Sequence, residues 1–310
     1  MPGKKMTRRE ALTTAGAIAG LAGLSLLTSA EARAAAVPAS LKGGDSFFFL
    51  QMADSQLFWG RDALDRWKQA IASANRLKPA FVIVCGDLLN RNGTPKPEHA
   101  EEDQRRAKAY LDAAAKLDKA IPLHNVAGNH DVGNHPTAET LAWYEERFGK
   151  CWYTFRHGDT RAIVLESDVL KFPQGAPDAA RLQMAWLEGV LKKADAEDVR
   201  HRLVFLHHPM CRQSVDESDN YFTMPRELRA KLLKMFHAHK VQAVFSGHYH
   251  GNLYVKDGDL ELVTTSAIAK SLHKDPPGFR IVRVTPDRIE HKYYAHEAVP
   301  AAIDPTKDLP

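Results

Sequence analysis

Five apolar runs in this 310-residue chain each end in a cluster of polar residues, and this arrangement constrains the fold more than any other feature. The clusters are Asp54-x-Gln56, Gly86-Asp87-x-x-Asn90, Gly128-Asn129-His130-Asp131, His207-x-Pro209 and Gly247-His248-x-His250. Each apolar run, such as residues 80–85 (AFVIVC), has the length and composition of a buried strand. Because ligands of α/β proteins bind beyond the carboxyl ends of strands, we expect the five clusters to converge on one site.

Helical patterns lie between these runs and predict a layered α/β fold. Residues 61–77 place Leu64, Trp67 and Ile71 on one helical face. Further helices are predicted in four segments: residues 97–118, 138–148, 178–195 and 225–239. Two more strands are predicted at residues 278–284 and 288–294, and no internal repeat is present.

The composition excludes other classes of protein. Hydrophobic residues make up 44% of the chain and charged residues 26%, which excludes a disordered chain, a collagen-like repeat, a coiled coil and a polytopic membrane protein. Three cysteines are too few for a disulfide scaffold, so we expect free thiols. Of the net charge of +4, most comes from five basic and two acidic residues within residues 1–34, so no nucleic-acid partner is expected.

Residues 1–34 are typical of a signal peptide. They begin with basic residues, continue uncharged from residue 11 to residue 30, and end in small residues that offer two A-x-A cleavage frames. Thr7-Arg8-Arg9-Glu10-Ala11-Leu12 resembles a twin-arginine signal, which predicts the twin-arginine export machinery as a partner and a periplasmic or extracellular location. The alternative is a retained membrane anchor, but this segment is weakly hydrophobic, so no stable anchor is expected after cleavage.

The five clusters supply carboxylates, amide oxygens and imidazoles but no cysteine, which favours manganese, iron or zinc. Gly86, Gly128 and Gly247 are expected to let the backbone turn sharply beside the ligand. In an extended segment residues i and i+2 point the same way. We therefore expect His248 and His250 to face one site.

The order D-x-[HQ], GDxxN, GNHD, H-x-P and GHxH resembles that of the calcineurin-like metallophosphoesterases. Within that family the D-x-Q first motif is most similar to the calcineurin-like phosphoesterase domain-containing proteins. The resemblance implies a four-layer α/β/β/α sandwich with two mixed β-sheets. It places the domain at residues 45–298, after a linker at 35–44 and before a tail at 299–310.

The resemblance also implies a dinuclear metal centre and the residues that form it. The first metal would be held by Asp54, Gln56, Asp87 and His250, and the second by Asp87, Asn129, His207 and His248. Asp87, Asn129 and His130 would be the catalytic residues. The two cations would make hydroxide available near neutral pH, and His130, oriented by Asp131 or Asp54, would protonate the leaving oxygen. Gln56 departs from the commonest family pattern, in which a histidine stands at this position.

The sequence therefore predicts an exported metal-dependent phosphoesterase that acts on phosphomonoesters, either small molecules or phosphoproteins. A phosphodiesterase or nucleotidase is the first alternative, and a non-catalytic binding module with the same fold is the second. Tyr221 and Phe222, in the acidic segment 216–222, are expected either to cover the substrate or to pack on the core.

Overall fold

Two mixed β-sheets pack face to face, and helices cover their outer surfaces. This computed structural model describes residues 45–91, 97–197 and 199–310. The predicted signal peptide and linker lie outside the described residues. The strands are, in chain order, β1 (Phe47–Met52), β2 (Val82–Cys85), β3 (Leu123–Val126), β4 (Tyr153–His157), β5 (Thr160–Val164), β6 (His201–Phe205), β7 (Ala243–Ser246), β8 (Leu253–Asp257), β9 (Leu260–Thr264), β10 (Gly278–Val284) and β11 (Ile289–Ala295).

The six-stranded sheet has a parallel centre and two antiparallel edge strands, whereas the five-stranded sheet is antiparallel at one end and parallel at the other. The five-stranded sheet has the order β11-β10-β1-β2-β3, in which β1 is parallel to β2 and antiparallel to β10. The six-stranded sheet has the order β4-β5-β6-β7-β9-β8, in which β5, β6, β7 and β9 run parallel. The β4–β5 and β8–β9 hairpins were not predicted, because their outer strands are only half buried and contain no continuous apolar run.

Seven α-helices flank the sheets in the described residues. They are α1 (Ala63–Leu77), α2 (Ala100–Ala114), α3 (Asn129–Val132), α4 (Ala138–Phe148), α5 (Ser167–Lys171), α6 (Pro177–Ala196) and α7 (Arg226–Ala238). The five long helices are confirmed, although α2 is shorter than the predicted segment 97–118. None of the described helices combines the length and the apolar character that crossing a membrane requires.

Side-chain alternation along β1 shows why the fold has four layers. Phe49 points between the sheets, where its ring lies 5.8 Å from those of both Phe205 and Phe245. Phe48 and Leu50 point the other way and join the core beneath the helices. A strand buried on both faces needs a second sheet on one side and helices on the other. Burial of each Phe side chain contributes about 1.5–3 kcal/mol to the free energy of folding. The predicted α/β/β/α sandwich is confirmed.

The carboxyl ends of β1, β2 and β3 lie at the same edge of the sandwich as those of β6 and β7. The parallel pairing of β1 with β2 and of β2 with β3 fixes this alignment in one sheet, and the parallel pairing of β6 with β7 fixes it in the other. The loops that follow are joined across the two sheets, since the His248 N–H donates to the Asp54 carboxylate and His207 Nδ1 donates to Cys85 O. The polar clusters of both sheets therefore meet along one seam.

Candidate metal centre

Seven buried side chains converge at this seam, and they are the seven that the sequence predicts as metal ligands. The five-stranded sheet contributes Asp54 and Gln56 after β1, Asp87 after β2 and Asn129 after β3. The six-stranded sheet contributes His207 after β6, and His248 and His250 after β7. The carboxylates and amides therefore come from one sheet, and the imidazoles come from the other.

These side chains form two groups that share Asp87. In the first group, ligand atoms of Asp54, Asp87 and His250 lie within 4.8 Å of one another. In the second group, the same limit holds for Asp87, His207 and His248. One carboxylate common to two groups is the arrangement that holds two cations side by side.

Short distances place an amide beside each group. His250 Nε2 lies 3.3 Å from Asp54 Oδ1, and Gln56 Nε2 donates to Asp87 Oδ2 at 3.0 Å. His207 Nε2 lies 3.2 Å from Asp87 Oδ1 and 3.1 Å from Asn129 Oδ1. Asn129 therefore lies beside the second group, whereas Gln56 contacts the carboxylate that both groups share.

Left-handed backbone conformations point these side chains into the site. The φ angles are 53° at Asp54, 33° at Gln56, 52° at Asp87, 64° at His248 and 55° at His250. The expectation of an extended i, i+2 arrangement is therefore wrong, although both histidines do face the site. Such conformations cost about 1–3 kcal/mol each in a non-glycine residue, and they are found mainly at functional sites.

Hydrogen bonds from the neighbouring backbone stabilise these strained loops. The His248 N–H donates to the Asp54 carboxylate at 3.0 and 3.2 Å, and the His130 N–H donates to Asp87 Oδ1 at 2.8 Å. Gly86 allows the close approach, since a Cβ there would lie 2.3 Å from His207 Nδ1. Both carboxylates are thus fixed before any ligand binds.

Two of the histidines are oriented by backbone carbonyls. His207 Nδ1 donates to Cys85 O at 2.8 Å, and His250 Nδ1 donates to Lys270 O at 2.6 Å. With Nδ1 held by a carbonyl, Nε2 is the ring nitrogen that faces the site, and it would bind a cation once it is deprotonated.

The remaining unpaired atoms show that the site fits cations. Gln56 Oε1 and His248 Nε2 are buried, and neither has a hydrogen-bond partner in the part of the chain that the structure describes. A buried polar atom without a partner costs free energy, and a cation would supply the missing interaction. The set of carboxylate, amide and imidazole donors suits manganese, iron or zinc.

The electrostatic field of the site favours positive charge. Burial acts to lower the pKa of His207, but Asp87 and Asp54 more than offset it and raise that pKa to about 10. Burial acts to raise the pKa of Asp87, yet the neighbouring His207 and His130 hold it well below its usual range.

His130 is half buried beside the second group, and its orientation differs from the prediction. Its Nδ1 lies 2.9 Å from Arg91 O, so a carbonyl and not a carboxylate orients the ring. Asp131 instead accepts hydrogen bonds from the N–H groups of Leu88, Leu89 and Gly128 at 3.0–3.1 Å. The predicted role of Asp131 or Asp54 in orienting His130 is therefore wrong, and Asp131 supports the loop that carries Asp87.

A buried acidic cluster behind the second group was missed by the sequence analysis. Glu166 and Asp168 are fully buried after β5. Neither carboxylate oxygen of Asp168 has a hydrogen-bond partner among the described residues, and His208 Nδ1 lies 3.8 Å from Asp168 Oδ1. Burial raises the pKa of Glu166 to about 7. The signal was present, because Glu166-Ser167-Asp168 is a sixth polar cluster that follows an apolar run.

The acidic segment 216–222 lies over the second group. The Tyr221 ring is 5.2 Å from the His248 ring, and the Tyr221 hydroxyl is 3.5 Å from Asn134 Oδ1. The Phe222 ring is 5.8 Å from the His248 ring, and the buried Lys171 ammonium donates to Tyr221 O. This segment therefore covers one side of the centre.

Comparisons with known proteins agree with this geometry. Residues 49–252 match the family profile described as calcineurin-like phosphoesterase. The protein named serine/threonine-protein phosphatase CPPED1 in Mus musculus is 35% identical over 269 residues, which are 80% of this chain and 84% of that protein. The protein of the same name in Danio rerio is 36% identical over 267 residues, with 80% and 84% of the two chains covered.

Two solved structures share the fold at low sequence identity. A dimetal phosphatase from Danio rerio has a TM-score of 0.62 and 16% identity, over 81% of this chain and 96% of that chain. The purple acid phosphatase PPD1 from yellow lupin has a TM-score of 0.60 and 16% identity, over 84% of this chain and 53% of that chain.

Proposed function

Because the chain belongs to the calcineurin-like phosphoesterase family of metal-dependent phosphate ester hydrolases, we propose that it cleaves phosphomonoesters at a centre of two cations. The observation that carries this proposal is the sharing of Asp87 by two ligand groups at the seam of the sheets. Manganese, iron or zinc would be held by Asp54, Gln56, Asp87 and His250 in the first group. In the second they would be held by Asp87, Asn129, His207 and His248.

Two bound cations would lower the pKa of water and neutralise the charge that develops on the transferred phosphoryl group. The protein positions the ester through its amides and histidines. The Asn129 oxygen faces His207, which leaves the amide N–H groups free to donate to a phosphate oxygen. His130 donates through Nδ1 to Arg91 O, so its Nε2 is the nitrogen that delivers a proton to the leaving oxygen.

Two observations support monoester hydrolysis and export. The curated relatives are named serine/threonine-protein phosphatases, whose substrates are phosphomonoesters on proteins. The twin-arginine pattern at residues 7–12 supports export of the folded protein. Small phosphate esters would also be available to it in the periplasm or outside the cell. Cell fractionation tests the location, and we expect Arg8→Lys with Arg9→Lys to retain the protein in the cytoplasm.

Hydrolysis assays on the mature protein test the activity. We expect p-nitrophenyl phosphate to be hydrolysed faster than bis-p-nitrophenyl phosphate, with activity lost on chelation and restored by manganese, iron or zinc. The reverse substrate preference would indicate a phosphodiesterase. Activity that persists in chelator, or that is unchanged in both Asn129→Ala and His130→Ala, would contradict the proposed centre. Absence of hydrolysis by the metal-loaded protein would favour a binding module.

A further inference from the structure

We propose that a cationic cleft beside the first ligand group binds a second anionic group of the substrate, so that the preferred esters carry a phosphate or carboxylate in addition to the one that is cleaved. This inference rests on the proposed function. The cleft has a volume of about 380 Å³ and lies between the start of α1 and residues 269–277. Its charged lining residues are Arg61, Arg66, Lys270, Lys274, Asp62 and Asp275.

The cations of the cleft lack acidic partners. No carboxylate of the described residues lies within ion-pair distance of Arg61, Arg66, Lys270 or Lys274, whereas Arg283 pairs with both Glu290 and Asp308. Four cations and two carboxylates leave an excess of two positive charges in this concave surface. A concave surface with a net positive charge concentrates anions, so the cleft attracts them.

The first turn of α1 adds to this positive potential. The helix is 15 residues long and begins at Ala63, and Asp62 at its N-cap makes no side-chain hydrogen bond to the first-turn N–H groups. Asp62 and Ala63 both line the cleft. Uncapped N–H groups at a helix N-terminus favour an anion. The N–H groups therefore act in the same direction as the four cations, while Asp62 and Asp65 at the same helix end oppose them.

The wall of the cleft is continuous with the first ligand group. Trp59 lines the cleft, and the edge of its ring faces the His250 imidazole with 5.0 Å between ring centres. The Lys270 ammonium lies 5.2 Å from the centre of the Trp59 ring, and the Lys270 carbonyl accepts the hydrogen bond from His250. An ester held at the centre therefore presents its alcohol portion to the cleft when it extends past Trp59.

Matched substrate pairs test this inference on the mature, metal-loaded protein. One pair is 2-phosphoglycerate and glycerol 2-phosphate, which differ by a carboxylate. The other is a phosphoserine peptide flanked by aspartates and the same peptide flanked by asparagines. We expect KM to be about 5- to 20-fold lower for the anionic member, and the difference to shrink between about 50 and 300 mM salt. A lower KM for the anionic member of either pair supports the inference and shows whether the substrate is a small molecule or a peptide. The absence of a preference in both pairs overturns the inference.

Two double variants test whether the preference for anionic substrates arises in the cleft. Arg61→Gln with Lys274→Gln removes two exposed cations of the cleft and is expected to bring the KM ratio close to one. Hydrolysis of p-nitrophenyl phosphate should stay within about twofold, since its leaving group is uncharged in the bound ester. Arg181→Gln with Lys192→Gln removes the same charge from exposed positions on α6 and should preserve the ratio.

Three results separate the inference from the proposed function. Hydrolysis of p-nitrophenyl phosphate without any preference overturns the inference alone. A preference that survives in the cleft variant also overturns it. If the wild-type protein hydrolyses no ester at all, the proposed function fails and the inference fails with it.

Discussion

The two halves of the centre share Asp87 but face opposite electrostatic surroundings. The first half adjoins Trp59, Lys270 and the cationic cleft. The second half is backed by the buried Glu166 and Asp168 and is covered by Tyr221 and Phe222. One buried cation, Lys171, also lies on this second side.

We expect this difference to give the two halves different roles in binding cations and substrate. A cation bound in the second half would favour the ionised forms of Glu166 and Asp168, which would in turn strengthen its binding, whereas basic surroundings weaken the binding of a cation and attract an anionic substrate. Gln56 adds to the asymmetry, since it offers the first half a neutral oxygen. We therefore expect the second half to retain its cation more tightly, and the substrate to approach from the side of the first half.

Removal of the shared carboxylate should have the largest effect, because it breaks both halves together. Asp87→Asn keeps the shape of the side chain but removes the charge that two cations would share. Since such stabilisation is worth several kcal/mol in the transition state, we expect kcat/KM to fall about 10³-fold or more. Metal content and circular dichroism are the controls. A folded variant that keeps two metals and full activity would contradict the shared role.

Titration of each half with metal tests the difference in retention. Gln56→Ala should weaken binding in the first half by about 10- to 100-fold and so widen the gap between the two affinities. Asn129→Ala is the matched change in the second half and should narrow that gap. Calorimetric titration with Mn²⁺ measures both constants. If each variant weakened Mn²⁺ binding equally at both sites, the result would contradict the proposed difference between the two halves.

The buried acids of the second half should make stability depend on pH. Burial raises the pKa of Glu166 from 4.5 to about 7, so the native state holds this proton to a higher pH than the unfolded chain does. The contribution of Glu166 to the free energy of unfolding is thus fully present below pH 4.5 and declines as pH rises toward 7. In Glu166→Gln we expect this decline to be smaller by about 1–2 kcal/mol.

Urea unfolding at pH 5.0 and pH 7.5 measures this effect. Chelator-treated protein should be used, because bound cations would favour the ionised form of Glu166 and reduce the difference. Parallel pH profiles for the wild type and the variant would show that Glu166 is ionised throughout the range.

The smallest effect is expected at the cover of the second half. Tyr221→Phe removes the hydroxyl near Asn134 but keeps the ring against His248. Loss of one hydrogen-bonding group at a half-exposed site should raise KM by about 2- to 5-fold with little change in kcat. Tyr254→Phe, at a similarly exposed tyrosine on β8, is the control and should leave both constants unchanged. Equal effects in the two variants would exclude a contact between Tyr221 and substrate.

The sequence predicted the buried parts of the fold better than its edges. Strands such as β2 and β7 are continuous apolar runs, and that pattern identified them. In the hairpins β4–β5 and β8–β9 the outer strands contain only half-buried and exposed residues, as many loops do. Only the turn glycines Gly158 and Gly258, both with positive φ, marked these hairpins.

The membership of the centre was predicted, but its backbone was not. Parallel strands bring their carboxyl ends to one edge, and this geometry predicted that the five clusters converge, whereas the family resemblance assigned Asp54, Asp87 and His250 to one metal. The left-handed conformations of these residues could not be predicted, because non-glycine residues adopt them only where tertiary contacts compensate the strain. The partner that orients His130 was wrongly predicted for a related reason, since a hydrogen bond to a backbone carbonyl leaves no trace in the sequence.

The division of ligands between the two sheets has a consequence for how the protein is made. His248 and Asp54 are 194 positions apart, and they meet only when the two sheets have docked. On the ribosome the centre stays incomplete until β7 has emerged, however early β1 and β2 pair. A cation held by both groups would therefore bind only after the two sheets have docked at this seam.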